Sequence, residues 1–273
     1  MIEINYGKQN RRLLRSESSL SLVLRIFFFL FFPFAIFGET SMSPYLEKTR
    51  YIDHDSSEII DTKEKIVSGL LHPKDKAIAI HNFVRDEIAF GFSSAFWNQK
   101  ASQVLKEKRG FCNTKSTLFI AMLRSAGIPA KQVFVDIKSE ILFGFIDPGS
   151  GYVDHSYVEV YLNHGWIKVD SFIVDKKLHN SALKKLNQLE RNIGFGTVVG
   201  ATSDWDGNSD SFSQYLPERV ANLSKQTYGV YQDVGDFYAK NSNAINGGII
   251  NRLLFHFFAS GANERIETLR MQN

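Results

Sequence analysis

The fold is decided by the stretch RGFCNTKSTLFIAMLRSAGIP, which covers residues 109–129. Apolar residues recur at helical spacing after Cys112, a pattern typical of a helix that is buried on one face. Gly127 and Pro129 then end the pattern, because glycine favours the left-handed position after a helix and proline cannot continue one. The sequence therefore predicts a buried helix from Cys112 to Ala126, with a cysteine in its first turn.

Cys112 lies where unpaired N–H groups and the positive end of the helix dipole favour an anion, and Lys115 adds a cation nearby. This position predicts a thiol that ionises readily and is alkylated well below the ordinary thiol pKa of about 8.5. The alternative for a single cysteine in an apolar helix is simple packing. The chain has 1 cysteine, which excludes intramolecular disulfides and paired-cysteine zinc or redox sites.

Two alternating segments downstream predict a β-hairpin. In residues 154–162 the aliphatic side chains occupy the even-numbered positions, and His155 occupies an odd-numbered one. The next predicted strand covers 166–170 and ends at Asp170. Because successive side chains of a strand point to opposite faces, His155 and Asp170 are predicted on the side away from the aliphatic residues. We expect this polar side to meet the helix of Cys112, although a one-residue slip in register changes which residues lie opposite.

Cysteine, histidine and aspartate together supply the parts of a nucleophilic site. A thiol attacks efficiently when a base favours its thiolate, and the base works best when a third group fixes its tautomer. Taken singly, His155 and Asp170 read as ordinary strand residues. Their occurrence together with a cysteine at a helix start predicts a functional trio of Cys112, His155 and Asp170.

Several linked segments resemble the transglutaminase-like superfamily, which has a papain-related fold. The segments are 109–112, the helix end at 123–130, 155–160, 165–170 and a lead-in helix at 77–92. The resemblance covers about residues 76–172. It implies an α+β domain in which the nucleophile lies at the N-terminus of a central helix packed on an antiparallel sheet.

The resemblance also implies site roles and a chemistry. Cys112 corresponds to the nucleophile, His155 to the base and Asp170 to the orienting acid of acyl transfer at an amide bond through a thioester. Peptide or amide hydrolysis is the first expectation, because water is always present. The alternatives are transamidation between glutamine and an amine, or a non-catalytic binding module that keeps the fold.

Four further residues are expected to line the site. Phe111 precedes the nucleophile, and Tyr157 stands where the family often has tryptophan. Trp97 or Asn98 can supply a second oxyanion donor beside the backbone N–H of Cys112, with packing as the alternative role of Trp97. The family also often has a small residue where this chain begins its helix interior with lysine and serine.

Residues 138–153 turn from apolar to glycine-rich directly before His155. They are expected to form a lid or a substrate-facing wall, or else a buried extra strand followed by a plain turn. In both cases we expect this segment to determine which substrates are selected.

The first 41 residues follow a different pattern from the rest. Four basic residues precede an uncharged run at 26–37, and polar residues follow. This is the layout of an export signal or an N-terminal anchor, although the run is shorter than the roughly 20 residues of a full membrane span. We expect a protein exported or anchored on the periplasmic side of a bacterial-type membrane, or a cytoplasmic one if translation starts at Met42.

The remaining residues are predicted to form a catalytic domain over 42–200 and a C-terminal extension over 201–273 that packs on it. Helices are expected at 181–191 and 249–260. The net charge of +3 gives no indication of a nucleic-acid partner. The acyl transfer that the resemblance implies makes a peptide or protein with an amide carbonyl the expected partner. No cofactor is expected.

A metal site is not predicted either. Acidic and amide residues alternate over 204–210 as in a calcium loop. Gly207 stands two places early, however, and Tyr215 occupies the twelfth position, where a calcium loop needs a bidentate glutamate.

Overall fold

The computed structural model describes residues 41–93, 95–147, 149, 151–215, 226–241 and 249–272. The chain divides into the units Met1–Ser41 and Met42–Asn273, and the second contains nearly all of the described residues. The predicted signal or anchor segment lies outside them. In the part of the chain that is described, no helix has the length and apolar character needed to cross a membrane.

Seven α-helices occur in the described residues. They are α1 (Ser57–Val67), α2 (Pro73–Glu87), α3 (Ala101–Glu107), α4 (Cys112–Ser125), α5 (Lys176–Gln188), α6 (Val234–Lys240) and α7 (Ile249–Arg270). Two short 3₁₀ turns lie at Ser43–Tyr45 and Ser139–Leu142.

The strands in the described residues form one main sheet and two small ribbons. They are β1 (Ala89–Phe90), β2 (Arg109–Gly110), β3 (Ala130–Lys138), β4 (Tyr152–Leu162), β5 (Gly165–Val169), β6 (Ile193–Gly194), β7 (Thr197–Val198) and β8 (Thr227–Tyr231). The main sheet has the order β5-β4-β3-β8, and its neighbouring strands are antiparallel. The predicted α+β class is confirmed.

Side-chain caps explain where two helices begin. The Ser56 side chain accepts from Ile59 N at the start of α1, and the Asp175 side chain accepts from Leu178 N at the start of α5. Such caps satisfy backbone donors that the helix itself leaves unpaired. Because of the Asp175 cap, α5 begins at Lys176, so the prediction that this helix starts at residue 181 was wrong.

Helix α4 is at the centre of the core, and every residue from Cys112 to Arg124 is buried. It packs against strands β3 and β4 and against helices α1, α2 and α3. Leu118 and Phe119 have no exposed surface, and burying a side chain of this size contributes roughly 1.5–3 kcal/mol. This packing fixes the end of the helix that carries Cys112.

The face of the sheet that meets α4 is the aliphatic one. Val158 and Val160 belong to the main core with α4, and Ser156 Oγ lies 3.3 Å from Ser116 Oγ on that helix. Tyr157 belongs to a separate cluster on the opposite face, the parity that it shares with His155. The prediction that the polar face meets the Cys112 helix was therefore wrong.

The part of the chain after residue 200 contributes to this architecture. Strand β8 pairs with β3 as an edge strand of the main sheet. Helix α7 is attached by the apolar residues Ala262, Ile266 and Leu269, all of which are buried. It is also attached by Arg270, whose guanidinium donates to Asp175 at 2.8 Å.

Candidate active site

The thiol of Cys112 lies in the first turn of α4 and is 9% exposed. It lies 3.6 Å from Asn113 Oδ1, to which it donates. Burial raises the pKa of Cys112, and the nearby Asp154 carboxylate raises it further, while the backbone N–H groups of Ser156 and Asn113 lower it. The net shift is upward, so the expectation of a readily ionised thiol was wrong for this state of the protein.

Lys115 was expected to lie beside the thiol as a cation, and this too was wrong. Its ammonium donates to the backbone carbonyls of Arg85 and Ile88 near the end of α2. The side chain is fully buried, and this burial lowers the pKa of Lys115 to about 7. The long lysine side chain crosses the core to reach unpaired helix-end carbonyls, which accept a cationic donor well.

His155 and Asp170 meet on the face of the sheet away from α4. His155 Nε2 lies 3.1 Å from Asp170 Oδ2, and the two side chains are 1% and 0% exposed. A carboxylate accepts hydrogen bonds, so the proton of a neutral imidazole here sits on Nε2 and Nδ1 carries the lone pair. His155 Nδ1 is buried and has no hydrogen-bond partner among the described residues.

The carboxylate of Asp170 is held by a segment that sequence reasoning missed. The backbone N–H groups of Ser213, Gln214 and Tyr215 all donate to it, and Ser213 Oγ lies 3.3 Å from Asp170 Oδ1. Asp170 N in turn donates to Ser211 O at 2.9 Å. This clamp consists mainly of backbone N–H groups, which every residue type except proline supplies, so the sequence contained no signal for it.

Cys112 and His155 line the same cavity, whose volume is about 400 Å³. The other lining residues are Phe90, Phe92, Phe96, Phe111, Ile137, Ile141, Leu142, Ile146, Asp147, Val153, Asp154, Gln214, Ala259, Ala262 and Arg265. The cavity is therefore lined by two members of the predicted trio, Cys112 and His155, and by the predicted site residue Phe111.

Three other predicted site residues lie outside this lining. Trp97 stacks on Tyr238 with ring centroids 4.6 Å apart. Asn98 Oδ1 accepts from Tyr51 at 2.8 Å. Tyr157 stacks on Tyr215 at 5.6 Å, so it supports the segment that clamps Asp170.

Asp154 is a second carboxylate beside the thiol that the sequence analysis did not single out. Its Oδ2 accepts from the Asn113 side chain at 2.9 Å and from the Tyr238 hydroxyl at 2.6 Å. Tyr238 also accepts a hydrogen bond from Asn113 at 2.9 Å. These three hydrogen bonds connect β4 to the first turn of α4. They hold the Asp154 carboxylate, and so a negative charge, near the sulfur.

The segment between β3 and β4 forms part of the cavity wall. Its first residues make the 3₁₀ turn Ser139–Leu142 rather than an extra strand. Ile141, Leu142, Ile146 and Asp147 then line the cavity.

The acidic residues of 204–210 are engaged by protein groups. Asp204 accepts from Arg85 and Lys176 at 2.9 and 2.8 Å. Asp206 Oδ1 accepts from the backbone of Asn208 and Ser209. No cluster of three or more His, Cys, Asp or Glu side chains suited to a metal ion occurs in the described ranges.

Part of this chain is similar to a known protein family. Residues 60–171 match the profile of the Transglutaminase-like superfamily. The comparison with curated proteins gives no match.

Two solved structures are similar to part of the chain. A candidate cysteine protease from Cytophaga hutchinsonii is 23% identical with a TM-score of 0.39, over 49% of this chain and 43% of that one. A candidate protease from Parabacteroides distasonis is 14% identical with a TM-score of 0.33, over 47% of this chain and 25% of that one. The matches thus span less than half the length of each solved chain.

The family match and the fold agree on the same part of the molecule. The matched residues include the central helix α4, the antiparallel strands β3, β4 and β5, and the three side chains Cys112, His155 and Asp170. Residues 60–171 of this chain, which form the core of its α+β domain, are therefore similar to the transglutaminase-like superfamily.

Proposed function

We propose that the protein is a thiol-dependent hydrolase of peptide or amide bonds, with Cys112 as nucleophile, His155 as base and Asp170 as the group that orients the base. The observation that carries this proposal is that His155, whose Nδ1 has no hydrogen-bond partner among the described residues, lines the same cavity as Cys112. A buried acceptor without a partner is costly. A proton arriving from the thiol supplies the missing partner.

The first step forms the thioester. The thiol turns from Asn113 Oδ1, its proton passes to His155 Nδ1, and the sulfur bonds to the amide carbon while the carbonyl oxygen becomes an anion. The C–N bond then breaks, and the proton on Nδ1 leaves with the amine. A general base is needed because the buried thiol is protonated at rest, its pKa being raised by burial and by Asp154.

The second step releases the acid. Water gives a proton to His155 Nδ1 as its oxygen bonds to the thioester carbon. The C–S bond then breaks, and the proton on Nδ1 passes to the sulfur to regenerate the thiol. Through both steps the Asp170 carboxylate keeps the other imidazole proton on Nε2 and stabilises the imidazolium. The backbone N–H of Cys112 is the expected oxyanion donor.

The test uses a glutamine-containing peptide, with and without a labelled primary amine. Peptide cleavage or ammonia release without incorporated label supports hydrolysis. Incorporated label contradicts simple hydrolysis and supports transamidation. If the wild type gives no product above the Cys112→Ser variant in either reaction, the catalytic proposal fails and the domain is a binding module.

We also propose that the protein acts outside the cytoplasm, on the basis of the basic and apolar pattern of residues 1–41. The N-terminal residue of the mature protein and its cell fraction test this. A cytoplasmic protein that begins at Met42 contradicts it.

A further inference from the structure

One side of the cavity beside Cys112 is aromatic. Phe96 stacks on Phe111 with ring centroids 5.3 Å apart, Phe92 lies 5.8 Å from Phe111, and Phe90 lies 6.0 Å from Phe92. These rings form a continuous surface that ends at the residue next to the nucleophile. Aromatic surfaces of this kind bury large apolar groups and add favourable ring contacts.

The other walls are aliphatic. Residues from the β3–β4 region supply branched side chains, and helix α7 supplies two small ones. They are Ile137, Ile141, Leu142, Ile146 and Val153 from the first region, and Ala259 and Ala262 from α7. The small α7 residues leave the space that larger side chains would fill.

The Asp and Arg side chains at the cavity carry charges of both signs, and all three have hydrogen-bond partners, that of Asp147 being Gly149 N at 3.1 Å. Asp154 is bonded to Asn113 and Tyr238, and Arg265 donates to the Phe145 carbonyl. Asp147 is exposed. Because these charges are of both signs and are paired, they do not favour the binding of a charged group. The apolar surface of the cavity therefore determines what binds.

We propose that this cavity is a specificity pocket for a large apolar side chain, aromatic or branched aliphatic, attached next to the carbonyl that Cys112 attacks. The inference rests on the proposed function, because it takes the group bound to the sulfur to be an acyl group. The cavity volume of about 400 Å³ is in the range of small-molecule pockets, roughly 300–1,000 Å³. Removing a large apolar side chain from water favours its binding by a factor of about ten or more.

The test compares alkylation of Cys112 by N-benzyl iodoacetamide and by N-methyl iodoacetamide. The two reagents have the same electrophile and differ in apolar bulk, and in each case an S–C bond forms and iodide leaves. Intact-mass measurement gives the two rates, each normalised to the rate with free cysteine. We expect a preference for the benzyl reagent of about tenfold or more.

The Ala262→Phe variant, which fills the pocket, should lose this preference, so that the ratio of the normalised benzyl rate to the normalised N-methyl rate falls to about one. The control is Ser260→Phe, on the exposed side of the same helix, which should keep the preference. If Ala262→Phe does not fold, Ile146→Asn serves instead, because it places an amide in the apolar wall.

Equal normalised rates in the wild type, or no labelling by either reagent, overturn the pocket inference. Failure of the proposed function is distinguished by His155→Ala. If that variant keeps the wild-type N-methyl rate, His155 is not the base, and the benzyl preference still decides whether the pocket exists.

Discussion

Asp170 Oδ2 lies 3.1 Å from His155 Nε2 in a buried pair, and this contact decides which imidazole nitrogen carries the lone pair. In Asp170→Asn the amide can donate to Nε2 and so move the proton to Nδ1. We expect the rate of hydrolysis of an N-acetylphenylalanine thioester to fall about 10⁴-fold, the loss seen when the same change is made in a buried serine-protease triad.

The control for this variant is Asp210→Asn. Asp210 is exposed and accepts a hydrogen bond from Lys168 N at 2.8 Å, so it shares the same β5 region without touching the imidazole. A comparable loss of turnover in both variants would show that the effect is structural.

The carboxylate of Asp154 is expected to set the resting state of the thiol. Burial is the main cause that raises the pKa of Cys112, and Asp154 is the second. Asp154→Asn removes the charge and keeps an oxygen that can accept from Asn113 and Tyr238. The pKa of Cys112 should therefore fall, and the pH profile of iodoacetamide alkylation should move to lower pH.

Asp147→Asn is the matched control, because Asp147 lines the same cavity but is exposed. Its alkylation profile should remain that of the wild type. An unchanged profile in Asp154→Asn would contradict the role given to this carboxylate.

The buried ammonium of Lys115 predicts a pH dependence of stability. Its pKa is lowered by burial to about 7, from 10.5 in the unfolded chain. Between pH 7 and 9 the unfolded state binds more protons, so the free energy of unfolding should rise with pH by up to about 1.4 kcal/mol per unit. Urea denaturation at several pH values measures this slope.

Lys115→Met should lose this rise, whereas Lys106→Met, at an exposed position of α3, should keep it. A wild-type stability that is flat or falls between pH 7 and 9 would contradict the prediction.

The ion pair between Arg270 and Asp175 is expected to hold α7 on the domain. The side chains are 12% and 7% exposed. Arg270→Met leaves the Asp175 carboxylate buried without its cation, which should cost about 3 kcal/mol of unfolding free energy at neutral pH. Arg109→Met, which removes a more exposed partner of Glu267, should cost less than about 1 kcal/mol.

The loss of unfolding free energy caused by Arg270→Met should become smaller at acidic pH. Burial raises the pKa of Asp175, but hydrogen bonding to Arg270 and its charge lower it more, so it lies below the ordinary value of 3.8. The stability that the pair supplies is present above that value and is lost as pH falls through the folded pKa. A deficit that grows as the pH falls below 4 would contradict this account.

The sequence predicted the local elements well where periodicity was strong. A strand was predicted over 154–162 and β4 is Tyr152–Leu162, and α4 was predicted to residue 126 and ends at Ser125. Periodicity reports which residues share a face, because side-chain direction follows directly from backbone geometry. It does not report which neighbour covers that face.

The face assignment failed for this reason. Val158 and Val160 pack on α4 because burying them against the central helix removes the most apolar surface from water. His155 and Asp170 are consequently covered by residues 211–215, a segment without regular structure that binds through its backbone. The direction of Lys115 was equally unpredictable, since it depends on helix-end carbonyls some 30 residues away in the chain.

The central claim is that an acyl group is transferred to Cys112 with His155 Nδ1 taking the proton. The most direct measurement is rapid-quench mass spectrometry after mixing the protein with the N-acetylphenylalanine thioester. The account predicts an acyl adduct that maps to Cys112, forms in the wild type, and is at least a hundredfold slower in His155→Ala. An adduct on another residue, or equal rates of formation in the two proteins, would contradict it.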